Sequence, residues 1–401
     1  MAQHEMSHSA KLIILLVIFF EARFFGEVFA GDGKTEKFIK EYNYPVETHH
    51  YETDDGYILT AHRIPHGLSK EKPKRVALMV HGMGGSGENY ITIGPPDALG
   101  FYLADKGYDV WLFNARGSMN SRKHRSLNPN TERKKFWNFS WHEIGTYDLP
   151  ATINYILNVT GADGIFYVGH SQGTTTLFVL LSEVPEMNDK IKAAALLAPS
   201  ASLHHTQSPL LILATRFLEL GQKLLPMLNW YEMLMPNGNE LLNRIVVPLC
   251  SPKAMHDICM DFLYVIAGTE SGLVNKTLLP IMLQFTPSGF AVKQMFHYAQ
   301  VIKTGDFKQF DYGPKKNLKM YNDTKPPLYK FPNMKVPLAL FYAIEDPYSN
   351  PTMVEELRGK LPNIVLDYQV PVPKFNHLDY ILAYNVKEFI NDRVLEVFDR
   401  F

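Results

Sequence analysis

A serine stands between two glycines in Gly169-His-Ser171-Gln-Gly173, directly behind the apolar run 165–168. Far downstream, Asp346 follows the apolar run 337–342, and His377 follows the run 364–370 by a short loop. Serine, acid and histidine in that chain order are suited to nucleophilic acyl transfer. The hydroxyl is a weak nucleophile until an imidazole takes its proton, and the imidazole needs a carboxylate to fix its orientation. The flanking glycines give the serine access, because small neighbours let a strand and a helix close on a sharp turn. The turn exposes Oγ at the sheet edge and aims the Gln172 N–H at a developing oxyanion. A second loop, His81-Gly-Met83-Gly-Gly85, follows the apolar run 76–80. Its Met83 N–H is the second expected oxyanion donor.

Other polar residues fit these roles less well. Glu345 adjoins Asp346 and points elsewhere when Asp346 faces the histidine, whereas Asp379 is expected to cap the helix that follows it. His81 and His170 lie within the motifs as packing or hydrogen-bonding neighbours. His204, His205, His256 and His297 belong to a different segment and read as surface or core residues. No metal site or cofactor is expected. His62 and His66 have the spacing of helical zinc ligands, but Pro65 opposes a helix there and no acidic motif accompanies them.

The elements that must position these residues are legible as periodicity. Apolar runs of strand length at 76–80, 109–113, 165–168 and 193–197 alternate with helix-length segments, the pattern of a mostly parallel sheet in an α/β fold. Asp148-Leu-Pro150 reads as a helix start with Asp148 as cap. From 202 to 316 the chain is rich in Leu, Met and aromatics without that alternation, and helices are expected over 210–228 and 255–266. This stretch reads as an inserted cap, with 31–201 and 317–401 forming the sheet domain. Strands resume at 337–342 and 364–370 around a helix at 354–361, and a final helix is expected over 378–398.

The chain has 401 residues, 46% of them hydrophobic, and a formal net charge of −1 without a basic patch. That balance offers nothing to nucleic acid. Lys11 precedes the apolar run 12–20, and small residues follow at 28–30, so residues 1–30 read as a removed signal peptide. The run is too short for a stable membrane span, which needs roughly twenty apolar residues. The expected destination is the secretory route, either secretion or the lysosome. Sequons at Asn138, Asn158, Asn275 and Asn322 agree with export, although the aromatic neighbours of Asn138 predict that it is buried. The two cysteines, Cys250 and Cys259, either pair or remain buried thiols. On one unbroken helix they would lie about 13 Å apart, so pairing requires a turn, for which Pro252 is suited.

Several segments together resemble the acid lipase family of α/β-hydrolases, which includes gastric, lysosomal and insect lipases. They include Tyr51-Glu-Thr-Asp-Asp-Gly-Tyr57, Asn114-Ala-Arg-Gly117, Tyr147-Asp-Leu-Pro150, the stretch around Ser171, and Asn376-His-Leu-Asp-Tyr380. The resemblance runs from about residue 44 to the C-terminus. It implies an α/β-hydrolase fold with a helical cap, Ser171 as nucleophile, Asp346 and His377 as its partners, and Met83 and Gln172 as oxyanion donors. It also implies that Cys250 and Cys259 pair within the cap. The substrate class it implies is a water-insoluble acylglycerol or sterol ester met at a lipid interface, with no protein partner evident. The loop at 82–87 is richer in glycine than is usual in the family. Alternative readings are a carboxylesterase or peptidase on the same fold, or a lipid carrier without turnover.

Overall fold

The computed structural model describes residues 33–233, 247–250, 252 and 255–401. The expected signal peptide, residues 1–30, lies outside them. The central sheet contains β1 (Glu47–Glu52), β2 (Tyr57–Ile64), β3 (Arg75–Val80), β4 (Tyr108–Asn114), β5 (Lys123–His124), β6 (Ile165–His170), β7 (Ile191–Leu197), β10 (Leu338–Tyr342) and β11 (Ile364–Gln369). Its order is β1-β2-β4-β3-β6-β7-β10-β11, with β5 paired to β2. The first strands form an antiparallel β1–β2–β4 edge, and every pairing from β4 to β11 is parallel.

The continuous apolar runs in the middle strands follow from burial on both faces. Val76, Leu78 and Val80 of β3 enter one core, shared with Trp111, Phe113 and Tyr167. Ala77 and Met79 point the other way, into a core shared with Val110, Leu112 and Val168. A period of two along each strand thus feeds two separate layers.

Between β7 and β10 the chain leaves the sheet. The described residues there form the helices Pro209–Arg216, Leu218–Met227, His256–Ala267, Leu279–Phe285, Val292–Thr304 and Pro314–Tyr321, and a two-stranded pair of β8 (Glu232–Met233) and β9 (Phe290–Ala291). Helix Val292–Thr304 packs this segment against Trp141 and the helix Gln172–Glu183. Its buried His297 stacks on Trp141 at 3.6 Å between ring centroids, and its Tyr298 hydroxyl meets Thr175 Oγ1 at 2.9 Å. Cys250, at the end of the short helix Val247–Cys250, is bonded to Cys259, and Pro252 lies at a bend between that helix and His256–Ala267.

Four sequence expectations need correction. The helix expected over 210–228 is two, because Phe217 leaves helical angles at φ −103°, ψ 15°. The final helix is also interrupted. Helix Asp379–Leu382 stops at Ala383, where the backbone is extended and bridges Val274; beyond it, the Tyr384 N–H donates to Leu273 O at 2.9 Å. Backbone from the segment between β7 and β10 therefore takes hydrogen bonds that a helix would have used, and helix returns only at Lys387–Asn391 and Asp392–Phe398. Asp148 precedes the helix Leu149–Thr160 but makes no capping hydrogen bond. Its carboxylate accepts from the Arg116 backbone N–H (2.9 Å) and Nε (2.7 Å), while the rest of that guanidinium pairs with Asp55 and lies 4.1 Å from the Tyr57 ring centroid. A buried cation needs those acids more than the helix needs a cap. Asn138, expected to be buried, is exposed: Trp137, Phe139 and Trp141 turn inward and leave it outside.

Candidate active site

Three loops converge at the carboxyl ends of the parallel strands, where open α/β sheets place their ligands. The first follows β6. Ser171 sits at φ 54°, ψ −116°, between the strand and the helix Gln172–Glu183. A non-glycine residue in such a conformation costs on the order of 1–3 kcal/mol, which the surroundings must enforce. The glycines explain how they do so. A Cβ on Gly173 would lie 2.3 Å from Val80 O, and one on Gly169 would lie 2.8 Å from the Gly173 carbonyl carbon. Strand, turn and helix meet with no room for a side chain, and Ser171, unlike its neighbours, is only half-buried.

The second and third loops bring an acid and an imidazole to that serine. His377 Nε2 lies 2.7 Å from Ser171 Oγ. Its Nδ1 lies 3.0 Å from both carboxylate oxygens of Asp346. Asp346 is 1% exposed and also accepts the Tyr348 N–H at 2.8 Å, so its carboxylate is held from two sides. With Nδ1–H donated to Asp346, the free lone pair of Nε2 faces the hydroxyl. The Tyr348 ring packs on the imidazole at 4.3 Å. His170, beside the serine in sequence, donates from Nε2 to the His377 carbonyl at 2.8 Å. Burial and then the nearby His377 push the His170 pKa down to about 3, so this support stays neutral. Glu345 is exposed and accepts from Thr269 instead.

The loop after β3 closes the site. A Cβ on Gly82 would stand 3.1 Å from Ser171 Cβ, which places this loop against Ser171. The turn bond runs from the Gly85 N–H to Gly82 O at 3.0 Å and leaves the Met83 N–H out of it. Gln172 opens its helix, so its N–H lies in the first turn, where no intrahelical carbonyl is available.

Asp379 departs from expectation. It is the first residue of its helix rather than the cap, and it accepts the Asn376 N–H (2.7 Å) and the Ser271 hydroxyl (2.9 Å). Burial, then the charge of Asp346, raises its pKa to about 7. The Asn-His-Leu-Asp spacing carried that signal, since a carboxylate two residues past the histidine can reach back to the loop's own backbone. Sequence reasoning gave no role to Arg116, Asp55 or Tyr348. Among the described residues no cluster of three or more His, Cys, Asp or Glu could hold a metal. His62 lies on β2, buried, 3.4 Å from Glu88.

Comparison with known proteins agrees with this architecture. Residues 76–227 match the α/β hydrolase fold, and residues 35–94 match a partial α/β-hydrolase lipase region. Lipase 3 of Drosophila melanogaster is 39% identical over 363 residues, covering 89% of this chain and 91% of that protein. Human gastric triacylglycerol lipase is 36% identical over 379 residues, covering 92% and 93%. The chain belongs to the lipase family of α/β-hydrolases. Mouse lipase member K, 37% identical over 86% of this chain and 85% of its own, is another relative. A solved Sulfolobus solfataricus structure shares the fold, with a TM-score of 0.55 at 16% identity over 88% of this chain and 93% of that one. As a member of the family the protein is a carboxylic ester hydrolase. Among the described residues of this lipase, no helix is long and apolar enough to cross a membrane.

Proposed function

We propose that the protein hydrolyses water-insoluble acyl esters, acylglycerols or sterol esters, through an acyl-enzyme on Ser171. The observation that carries this reading is the unbroken relay from Asp346 through His377 to Ser171 Oγ, at 3.0 and 2.7 Å. His377 Nε2 takes the hydroxyl proton as Oγ attacks the ester carbonyl. The Met83 and Gln172 N–H groups hold the resulting oxyanion, and His377 returns the proton to the leaving alcohol. Water then enters and the same histidine activates it against the acyl-enzyme. Each preorganised oxyanion donor is typically worth about 3–4 kcal/mol in the transition state.

A long-chain substrate is favoured by the relatives, one of which is named a triacylglycerol lipase, and by the apolar insertion above the site. We assign the chain to the secretory route, with residues 1–30 removed. The bonded Cys250–Cys259 pair and the exposed Asn138, Asn158, Asn275 and Asn322 of the four sequons support that route. Secreted protein should therefore begin near Gly31 and lose mass on treatment with an N-glycosidase. The catalytic test is labelling with an organophosphonate followed by peptide mapping, alongside a Ser171→Ala variant. Label on Ser171 and an inert variant are expected. A variant that still cleaves ester at the parental rate ends the proposal, and faster turnover of short soluble esters than of long-chain emulsions ends its substrate half.

A further inference from the structure

The loop after β3 has a feature that neither the glycine pattern nor the relay explains. Asn89 is 7% exposed, and both ends of its carboxamide are bonded. Oδ1 accepts the Ser86 N–H at 2.9 Å, and Nδ2 donates to Thr286 Oγ1 at 2.7 Å. Thr286 belongs to the insertion, directly after the helix Leu279–Phe285. The Asn89 N–H also bonds Ser86 O at 3.1 Å, so Ser86 and Asn89 close on each other twice. Gly85 makes this possible, since a Cβ there would lie 2.3 Å from Asn89 Oδ1. Two residues further along, the Ser288 N–H donates to Gly84 O at 2.7 Å, and Ser288 O accepts the Met119 N–H at 2.8 Å.

We propose that Asn89 is a positioning residue for the oxyanion hole, tying the 82–86 turn that carries the Met83 N–H to the insertion at Thr286. The inference rests on the reading of Met83 as an oxyanion donor. The turn is fixed at both ends: Gly82 abuts Ser171, and Gly84 to Ser86 are held by Asn89 and Ser288. Between them, Met83 sits in a glycine-rich segment with little stiffness of its own. A donor must be in place before the oxyanion forms, and a shift of about 1 Å can cost on the order of 100-fold in rate. Thr286 and Ser288 thereby take part in setting the geometry of the hole.

The test compares Asn89→Leu, which removes both bonds at similar volume, Asn89→Asp, which keeps the acceptor for the Ser86 N–H, and Thr286→Val, which removes the partner. Steady-state turnover of a soluble p-nitrophenyl ester, the rate of organophosphonate labelling, and binding of an uncleavable ether analogue of an acylglycerol are measured for each. Asn89→Leu should lower kcat and the labelling rate together by roughly 10- to 100-fold, with ether binding within about twofold of the parent. Asn89→Asp and Thr286→Val should fall between the two. The role is overturned if kcat in Asn89→Leu and Thr286→Val stays within threefold of the parent, or if ether binding falls as far as labelling does. Labelling of the parent at Ser171 in the same series keeps the catalytic reading separate, so unaltered variants would sink the positioning role alone.

Discussion

At the scale of single residues, the site is a set of groups whose neighbours decide their protonation and aim. Asp346 holds one edge of His377 while the His170 N–H holds its carbonyl. Asp346→Asn should therefore leave the fold intact and lower kcat by about 1,000- to 10,000-fold, because an amide in that place favours the wrong imidazole tautomer. Glu345→Gln, assayed beside it, should be indistinguishable from the parent. Asp379 offers a different prediction. Its folded pKa near 7 lies above the ordinary value of 3.8, so the folded state keeps a proton that the unfolded chain loses in that window. Its contribution to stability should then be full below about pH 4 and be lost as pH rises towards 7. Asp379→Asn should flatten that dependence, and denaturant melts at several pH values would show it. A slope unchanged by the substitution would assign the pH dependence to other groups.

At the scale of elements, Ser171 depends on contacts too close for a side chain. Gly173→Ala should destabilise by about 1–3 kcal/mol, because its Cβ must displace the Val80 carbonyl. A thermal melt unchanged by the substitution would show that β3 can retreat. The parallel strands and the placement of Ser171, Asp346 and His377 beyond their ends were legible in the sequence because all depend on local periodicity and chain order. What could not be read came from partners distant in sequence. Nothing near 383 says that Leu273 and Val274 will pair there and interrupt a helix. Nothing near 148 says that Arg116 will claim the aspartate. The exposure of Asn138 depended on which way three neighbouring aromatic rings turned, and a hydropathy pattern cannot choose between them.

At the scale of the whole molecule, the segment between β7 and β10 touches the same loops as the sheet. The Cys250–Cys259 bond closes a short loop within the insertion. Replacing both cysteines with alanine should cost somewhat less than ~3 kcal/mol by loop entropy, read as a lower melting temperature. An unchanged melt would mean that helix packing alone holds that corner.

The segment between β7 and β10 is stitched to both loops that flank Ser171. The Ala267 carbonyl accepts the His377 N–H, the Thr269 carbonyl accepts from Asn376, and Ser271 bonds Asp379. Thr286 and Ser288 hold the opposite side. Warming should consequently silence the enzyme before the strands come apart. Catalysis would fade while the far-ultraviolet dichroism of the sheet persisted, and prompt cooling would restore it.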